Sequence, residues 1–511
     1  MSRATRMAEL EVRVEALAGQ VARLTAEVER LKPFEARVAV LEKENAALRA
    51  ENAALRERLS KSSRNSSKPP SSDGDKARAE RRTKKPTGRA AGGQLGHPKH
   101  ERSEWPAGKV AKRVELRPKQ CASCATALTG NDPEPHRHQV FELPEVEPIV
   151  TEYVRHTLGC PQCGHATRAP LPAGVPSRIF GPSVAAVAAY FMGIHRLGKR
   201  RVADALHDLY GLPISVGAVV DAQNEVSEAL KSSHIEAVEH AQAAPIKNAD
   251  ETSWREGKGK NAKAWLWTLV TSKVIVFMIH KSRAQDAALK LLLNGKTALK
   301  DLVFGYLGTD RHGAYNFWPL GLRQFCWSHL QRDFTAISER DGHAGVVGKK
   351  LLDETTRMFA WWHRVRDGTL SRATFKVYMR SLRRRVEALL MEGAGLDDLK
   401  TARTCAKLLK SSEAMWTFVR VEGLEPTNNS AERSVRHGVI YRKLSGGTKS
   451  ADGSRFVERI LTVHATLRLQ GRPILPFLKN ACIARRRGST PPSLLPISLK
   501  LVQATPACIA A

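Results

Sequence analysis

The sequence predicts an α/β protein in which a sheet-bearing domain with a helical insertion follows a coiled coil, a small four-cysteine zinc module and a helix-turn-helix-like helical segment. Three observations carry this reading. A heptad repeat opens the chain, two CxxC pairs follow a basic stretch, and from Ile246 short alternating runs replace the helical pattern.

Length and composition set the frame. A chain of 511 residues with 42% hydrophobic and 26% charged residues has room for several cores. Lys plus Arg number 82 against 51 Asp plus Glu, a formal charge of +31 with a pI near 10.1, which favours a polyanionic partner and above all nucleic acid. No run approaches the ~18 apolar residues of a membrane span, and the sequence after Met1 lacks the apolar core of a signal peptide. The expectation is a cytoplasmic, nucleoid-associated protein with no membrane partner. Eight cysteines in this length do not make a disulfide scaffold.

Residues 1–59 form the coiled-coil region. Met7, Leu10, Val14, Leu17, Val21, Leu24, Val28 and Leu31 alternate at steps of three and four, and after Pro33 the seam resumes in a shifted phase from Val38 to Leu59. This predicts two short zippers parted at Pro33. Asn45 and Asn52 fall at core positions, where a buried amide pairs with its twin across a parallel homodimer; the alternative is an amphipathic helix packed on its own chain. Residues 60–119 turn to Ser, Pro, Gly, Lys and Arg and read as a disordered basic linker, either a contact for DNA phosphates or a solvated tether.

Cys121, Cys124, Cys160 and Cys163 define the zinc module at 120–170. Two thiolate pairs separated by 35 residues complete a tetrahedral Zn²⁺ shell without help from His136 or His138, and the intervening segment alternates like β-strands. A redox role lacks the surrounding βαβ pattern. Residues 178–240 are helical, with a turn at Gly211 to Pro213 and an N-cap at Ser215; they suit a DNA-reading helix pair or plain helical packing.

Residues 245–480 form the last large domain. Three strand-like runs, a helix near Ala284 to Leu293 and two further runs give the element order of an RNase H-like sheet, with 335–424 as a helical insertion. Asp250 closes the first run and Asp310 the fourth; neighbouring strands would present both carboxylates at one edge, a site for Mg²⁺. Each also reads as a plain strand-end or turn aspartate. Glu251 alternates to the other face. A third carboxylate is wanted from a helix: Glu432 stands three residues after Asn429, the spacing of a capping box, and Glu458 is its rival. The tail, 481–511, matches no pattern and reads as poorly ordered at its start.

The motifs "NSSKPPSSD", "GGQLGHPKH", "ADETSW", "TDRHGAYN", "CWSHLQRDF", "EPTNNSAERSVR" and "RKLSGGTKSADGSRFVERILTVHATLRLQG" are long and unusual. With the paired knuckles, they make the chain resemble the TnpC-type DDE transposases of the bacterial insertion sequences called the IS-sixty-six family. That resemblance implies an RNase H-like fold and a triad of Asp250, Asp310 and Glu432 holding two Mg²⁺ ions, or Mn²⁺. It also implies zinc at the knuckles, with transposon-end and target DNA as partners beside companion proteins of the same element. Cys326 and His329 would lie near the site, although a buried Cys with a hydrogen-bonding His fits them as well. Arg433, Arg436 and Lys443 follow Glu432 at near-helical spacing and suit a phosphate backbone. Two other readings remain open: a DNA-binding regulator or accessory protein whose acids are structural, and a nuclease that cuts without rejoining.

Overall fold

The computed structural model describes residues 3–66, 73–75, 79, 103–173, 175, 179–259, 262–295 and 304–496; most of the basic linker and the last residues of the tail lie outside them. The chain divides into two compact units, residues 1–84 with 329–409 and residues 85–328 with 410–511.

Helix α1 (Arg3–Ser60) is a single helix of 58 residues that runs through Pro33, so one helix replaces the two zippers expected from the sequence. Proline removes one N–H and crowds the carbonyl four residues back. The described side chains of this helix are exposed, and water can take up that carbonyl. The seam remains open to solvent within the single chain, with Leu17 56% and Leu48 59% exposed.

Strands β1 (Thr157–Gly159) and β2 (Ala166–Arg168) pair antiparallel across the second CxxC knuckle. Four helices follow: α2 (Pro182–Gly193), α3 (Lys199–Tyr210), α4 (Val216–Ala229) and α5 (Lys231–Ala243). The sheet is built from β3 (Ile246–Arg255), β4 (Lys263–Val270), β5 (Ile275–His280), β6 (Tyr306–Thr309) and β7 (Arg323–Phe325), with α6 (Gln285–Leu293) between β5 and β6. Helix α7 (Trp327–Ser338) starts two residues after β7, so the run "RQFCWSHLQRDF" is strand only at its beginning. Then come α8 (Gly342–Arg366), α9 (Arg372–Ala394), α10 (Leu399–Lys410), α11 (Thr417–Arg420), α12 (Asn429–Ser445), α13 (Ala451–Leu469) and α14 (Ile474–Arg487). In the insertion α8 and α9 are joined by Trp362 against Phe375 and by Arg385 gripping both oxygens of Glu354 at 2.9 Å.

The sheet order is β5-β4-β3-β6-β7, with β3, β4 and β5 antiparallel and β6 and β7 parallel to β3. The first and fourth strands are neighbours, as the sequence order implied. Period-two alternation assigns the faces. Asn248, Asp250 and Trp254 look toward α12, where Trp254 meets Tyr441 and a Cβ on Gly438 would fall 1.9 Å from Leu266 Cδ2. Glu251, on the other face, meets Tyr315.

The helices of 178–240 are not a separate body: Ala188, Val202, Val219, Val226 and Ala237 share one buried core with the sheet and with Ile460, Leu467 and Leu478. The tail is likewise ordered at its start. Helix α14 continues to Arg487, and Leu494 is fully buried, its N–H held by Glu236 and its carbonyl by Gln470.

Along the outer edge of β5 lies α13. The N–H groups of Ile275, Phe277 and Ile279 donate to Thr466 Oγ1 (3.0 Å), Thr462 Oγ1 (3.0 Å) and Glu458 Oε1 (2.5 Å), three side chains four residues apart on one helix face. An edge strand needs partners for its outward N–H groups, and here side chains provide them. Thr462→Val would bury an orphan N–H and is expected to destabilise the protein by about 1–3 kcal/mol, read from the urea unfolding midpoint.

Candidate active site

Asp250 and Asp310 come from adjacent parallel strands. The register pairs Asn248 with Gly308, and carrying it two residues further brings Asp250 level with Asp310. Gly308 leaves room there for the Asn248 side chain, whose Nδ2 would lie 2.2 Å from a Cβ at that position. Asp310 is held in a turn: its Oδ1 accepts from the His312 N–H at 2.8 Å, and its carbonyl accepts from Arg323 at 3.3 Å. Arg323 is buried beneath, also bonded to Thr309 Oγ1, and burial pushes its guanidinium down to about 10 against the pull of Asp310.

Glu432 is brought in by α12, and one asparagine sets where that helix starts. Asn428 is the N-cap residue, and its side chain does not cap. Its Nδ2 donates to the Ala249 carbonyl on β3 at 2.7 Å, and its Oδ1 accepts from Asn248 at 3.0 Å. The first helical residue is therefore Asn429, which puts Ala431 at the third position and Glu432 at the fourth. A capping box needs the acid at the third position. The capping-box explanation for Glu432 thus fails, and α12 carries its side chain beside Cys326.

Cys326 closes the arrangement. Its N–H donates to the Thr309 carbonyl (2.9 Å), its Sγ accepts from the Asn428 N–H (3.2 Å), and the same sulfur lies 3.8 Å from Glu432 Oε1. His329 follows on the first turn of α7.

The acids act on one another. Burial raises the Asp250 carboxyl well above the ordinary range, and the charges of Glu251, Asp310 and Glu432 raise it further. No three ligand atoms of these acids come within 4.8 Å of one another, yet their mutual repulsion is what a divalent cation would relieve, so the residues fit such an ion. Glu251 is engaged elsewhere: it accepts from Tyr315 Oη (2.8 Å) and from Arg283 Nε and Nη2 (3.1 and 3.0 Å). Glu458 is also excluded, being at the β5 edge, where burial raises it to about 7.

The knuckles are turns of one kind. In the first, the Ala125 N–H returns to the Cys121 carbonyl at 2.9 Å; in the second, Gly164 does the same to Cys160, with Ala125 and Gly164 both at positive φ. Hydrogen bonds from Thr126 lower the Cys124 thiol, and backbone N–H groups of Cys163 and Gln162 lower Cys160, the direction a thiolate ligand requires. Each pair is a half-site fit for zinc, although no three of the four thiols lie within 4.8 Å of one another.

On α12, Arg433, Arg436 and Lys443 are exposed. In the helix pair, Ser215 Oγ accepts from the Ala218 N–H (3.2 Å), the expected N-cap. Helix α4 carries Asp221, Glu225 and Glu228 and no Lys or Arg, so phosphate contact by this pair would fall to Lys199, Arg200 and Arg201 at the start of α3.

Residues 177–455 match the model of the Transposase IS66 family. The chain belongs to that family. Residues 118–164 match the zinc-finger binding domain of transposase IS66, and residues 1–103 match a family of unknown function, DUF6444. A comparison with curated proteins gives no match. Among the described residues of the transposase, no helix is long and apolar enough to cross a membrane.

The raised Asp250 has a signed consequence. A folded pKa above the unfolded one adds stability below the unfolded value and loses it as pH rises through the folded value. In the metal-free transposase Asp250→Asn should therefore be the more stable form at pH 8, by about 1–3 kcal/mol, with the gap closing toward pH 4. Thermal melts across pH test this; a gap that widens on acidification would contradict it.

Proposed function

We propose that this transposase cuts insertion-sequence DNA and joins the ends to a target by phosphoryl transfer, with Asp250, Asp310 and Glu432 as the acidic triad of an RNase H-like domain. The observation that carries the reading is the placement of Asp250 in β3 level with Asp310 just past β6, with the charge of Glu432 on α12 acting on Asp250 and with Asn428, not Asn429, at the N-cap of that helix. The sheet order supports it, since the element order of that fold places its first and fourth strands side by side.

The triad would hold two Mg²⁺ or Mn²⁺ ions. Bound metal supplies the activation of water or a 3′-hydroxyl and the neutralisation of the leaving oxygen. The protein's part is placement. Asn428 and Cys326 fix Glu432 against the strand ends, and Arg323 anchors the turn that presents Asp310. Arg433, Arg436 and Lys443 carry positive charge along the face a phosphate backbone would follow. Zinc at Cys121, Cys124, Cys160 and Cys163 would join the two knuckles into one module. The exposed seam of α1 would close in a homodimer, and transposon ends and target DNA would be the partners, beside companion proteins of the same element, in the cytoplasm at the nucleoid.

Strand transfer with Mg²⁺ and DNA carrying the element's ends tests the triad. Asp250→Asn, Asp310→Asn and Glu432→Gln should each lower the rate about 100-fold or more while leaving DNA affinity in place. Full activity of Glu432→Gln would remove it from the triad, and donor ends cut but never joined would make the protein a nuclease. For the zinc module, a thiol reagent should release about one Zn²⁺ per chain, and Cys160→Ala should lose the metal while keeping the circular dichroism of the remaining fold.

A further inference from the structure

A second cluster of basic groups lies on α12, beyond the triad. His437 is one turn after Arg433, and its ring meets that of His464 on α13 edge to face, with centroids 5.4 Å apart. The turn after α2 brings His195 and Arg196 to the same place. His195 is anchored against Tyr190 (4.9 Å) and Phe191 (6.0 Å). Gly193 allows this approach, because a Cβ there would fall 2.4 Å from Ile460 of α13.

Two features of the cluster call for a ligand. Arg196 Nε and His464 Nδ1 are both buried without a hydrogen-bond partner among the described residues, and His464 is only 7% exposed. Such groups usually have partners, and each unmet one weakens the fold. Arg196 also holds a left-handed backbone, φ +62°, a conformation that favours glycine, so the position keeps a guanidinium at a conformational penalty. Among the described residues, no acid contributes to the charges acting on His464 or His437. The charges acting on His464, which burial drives down to about 4, come from His437, Arg468, Arg196 and His195, all of one sign; Arg196 acts likewise on His437 and Tyr441.

We infer that Arg196, His437 and His464 form a phosphate-binding pocket that receives a backbone phosphate of the DNA held along α12, one turn beyond Arg433. The inference rests on the transposase reading for the identity of the DNA. An anion would supply an acceptor for Arg196 Nε and, in the tautomer that carries its proton on Nδ1, for His464, and would offset the positive charge of Arg196 and Arg468. Placement favours a strand over a free ion: His195 is exposed, and the pocket continues the line of Arg433 and Arg436. One such contact adds about one to the slope of log affinity against log salt.

Full-length protein carrying Asp250→Asn, so that no chemistry intervenes, would be titrated with a fluorescent duplex over a salt series, with and without Arg196→Gly. Glycine suits the left-handed backbone, so this variant should melt at or above the parent temperature, and a loss of affinity would not report unfolding. The expected result is a salt slope shallower by about one, with about 3- to 10-fold weaker binding at low salt, and a similar change for His437→Gln. An unchanged slope in both variants would overturn the inference. A slope unchanged while inorganic phosphate stabilises the parent and not Arg196→Gly would assign the pocket to a free anion and equally overturn the DNA contact. Failure of the parent to bind duplex at all would instead count against the transposase reading.

Discussion

The candidate site depends on one side chain amide. Asn428 donates to the Ala249 carbonyl in the middle of β3, accepts from Asn248 on the same strand, and through its own N–H meets Cys326, which is bonded to Thr309 on β6. Three elements distant in sequence are thereby fixed at one point, each beside an acid: β3 before Asp250, β6 before Asp310, and α12 before Glu432. The bonds are buried, where an unpaired partner is expensive, so the arrangement is rigid rather than adjustable. Small residues make it compact. Gly308 leaves space for Asn248, and Gly438 lets α12 settle on Leu266.

The same rigidity costs stability while the acids are unscreened. Asp250 sits among Glu251, Asp310 and Glu432, of which Glu251 is paired with Arg283. The remaining fold has to absorb this repulsion, and it does so through a large shared core in which the helices before the sheet and those after it pack together. Such a core also explains why the C-terminal segment returns to lay Leu494 into the interior.

The strands were legible because alternation is a local signal: the runs around Ala249, Leu266 and Phe277 bury every second residue or more. Asp310 stands just past the end of β6, whereas Asp250, expected to close the first run, lies in the middle of β3, which continues to Arg255 in its pairing with β4. The start of α12 was not legible to within a residue. Asn428 and Asn429 are equally good caps by type, and what distinguishes them is the Ala249 carbonyl, a partner 179 positions away. Pro33 misled in the opposite way, since a local breaker is tolerated where water can replace the lost bond. The burial of Leu494 left no trace in "PPSLLPIS", which has no period to read. Glu458 looked like a rival acid from its type alone; its function at the β5 edge needed the strand beside it.

That edge has a further property. Four residues of helix rise about 6.0 Å, whereas two residues of strand advance about 6.8 Å, so the two repeats drift apart by roughly 0.8 Å per rung. Centred on Thr462 and Phe277, the outer rungs at Glu458 and Thr466 are each out of step by about that much, within the tolerance of a hydrogen bond. A fourth rung would not be. The pair behaves as a vernier with three coincident marks, and it sets a natural length for β5, which is six residues long.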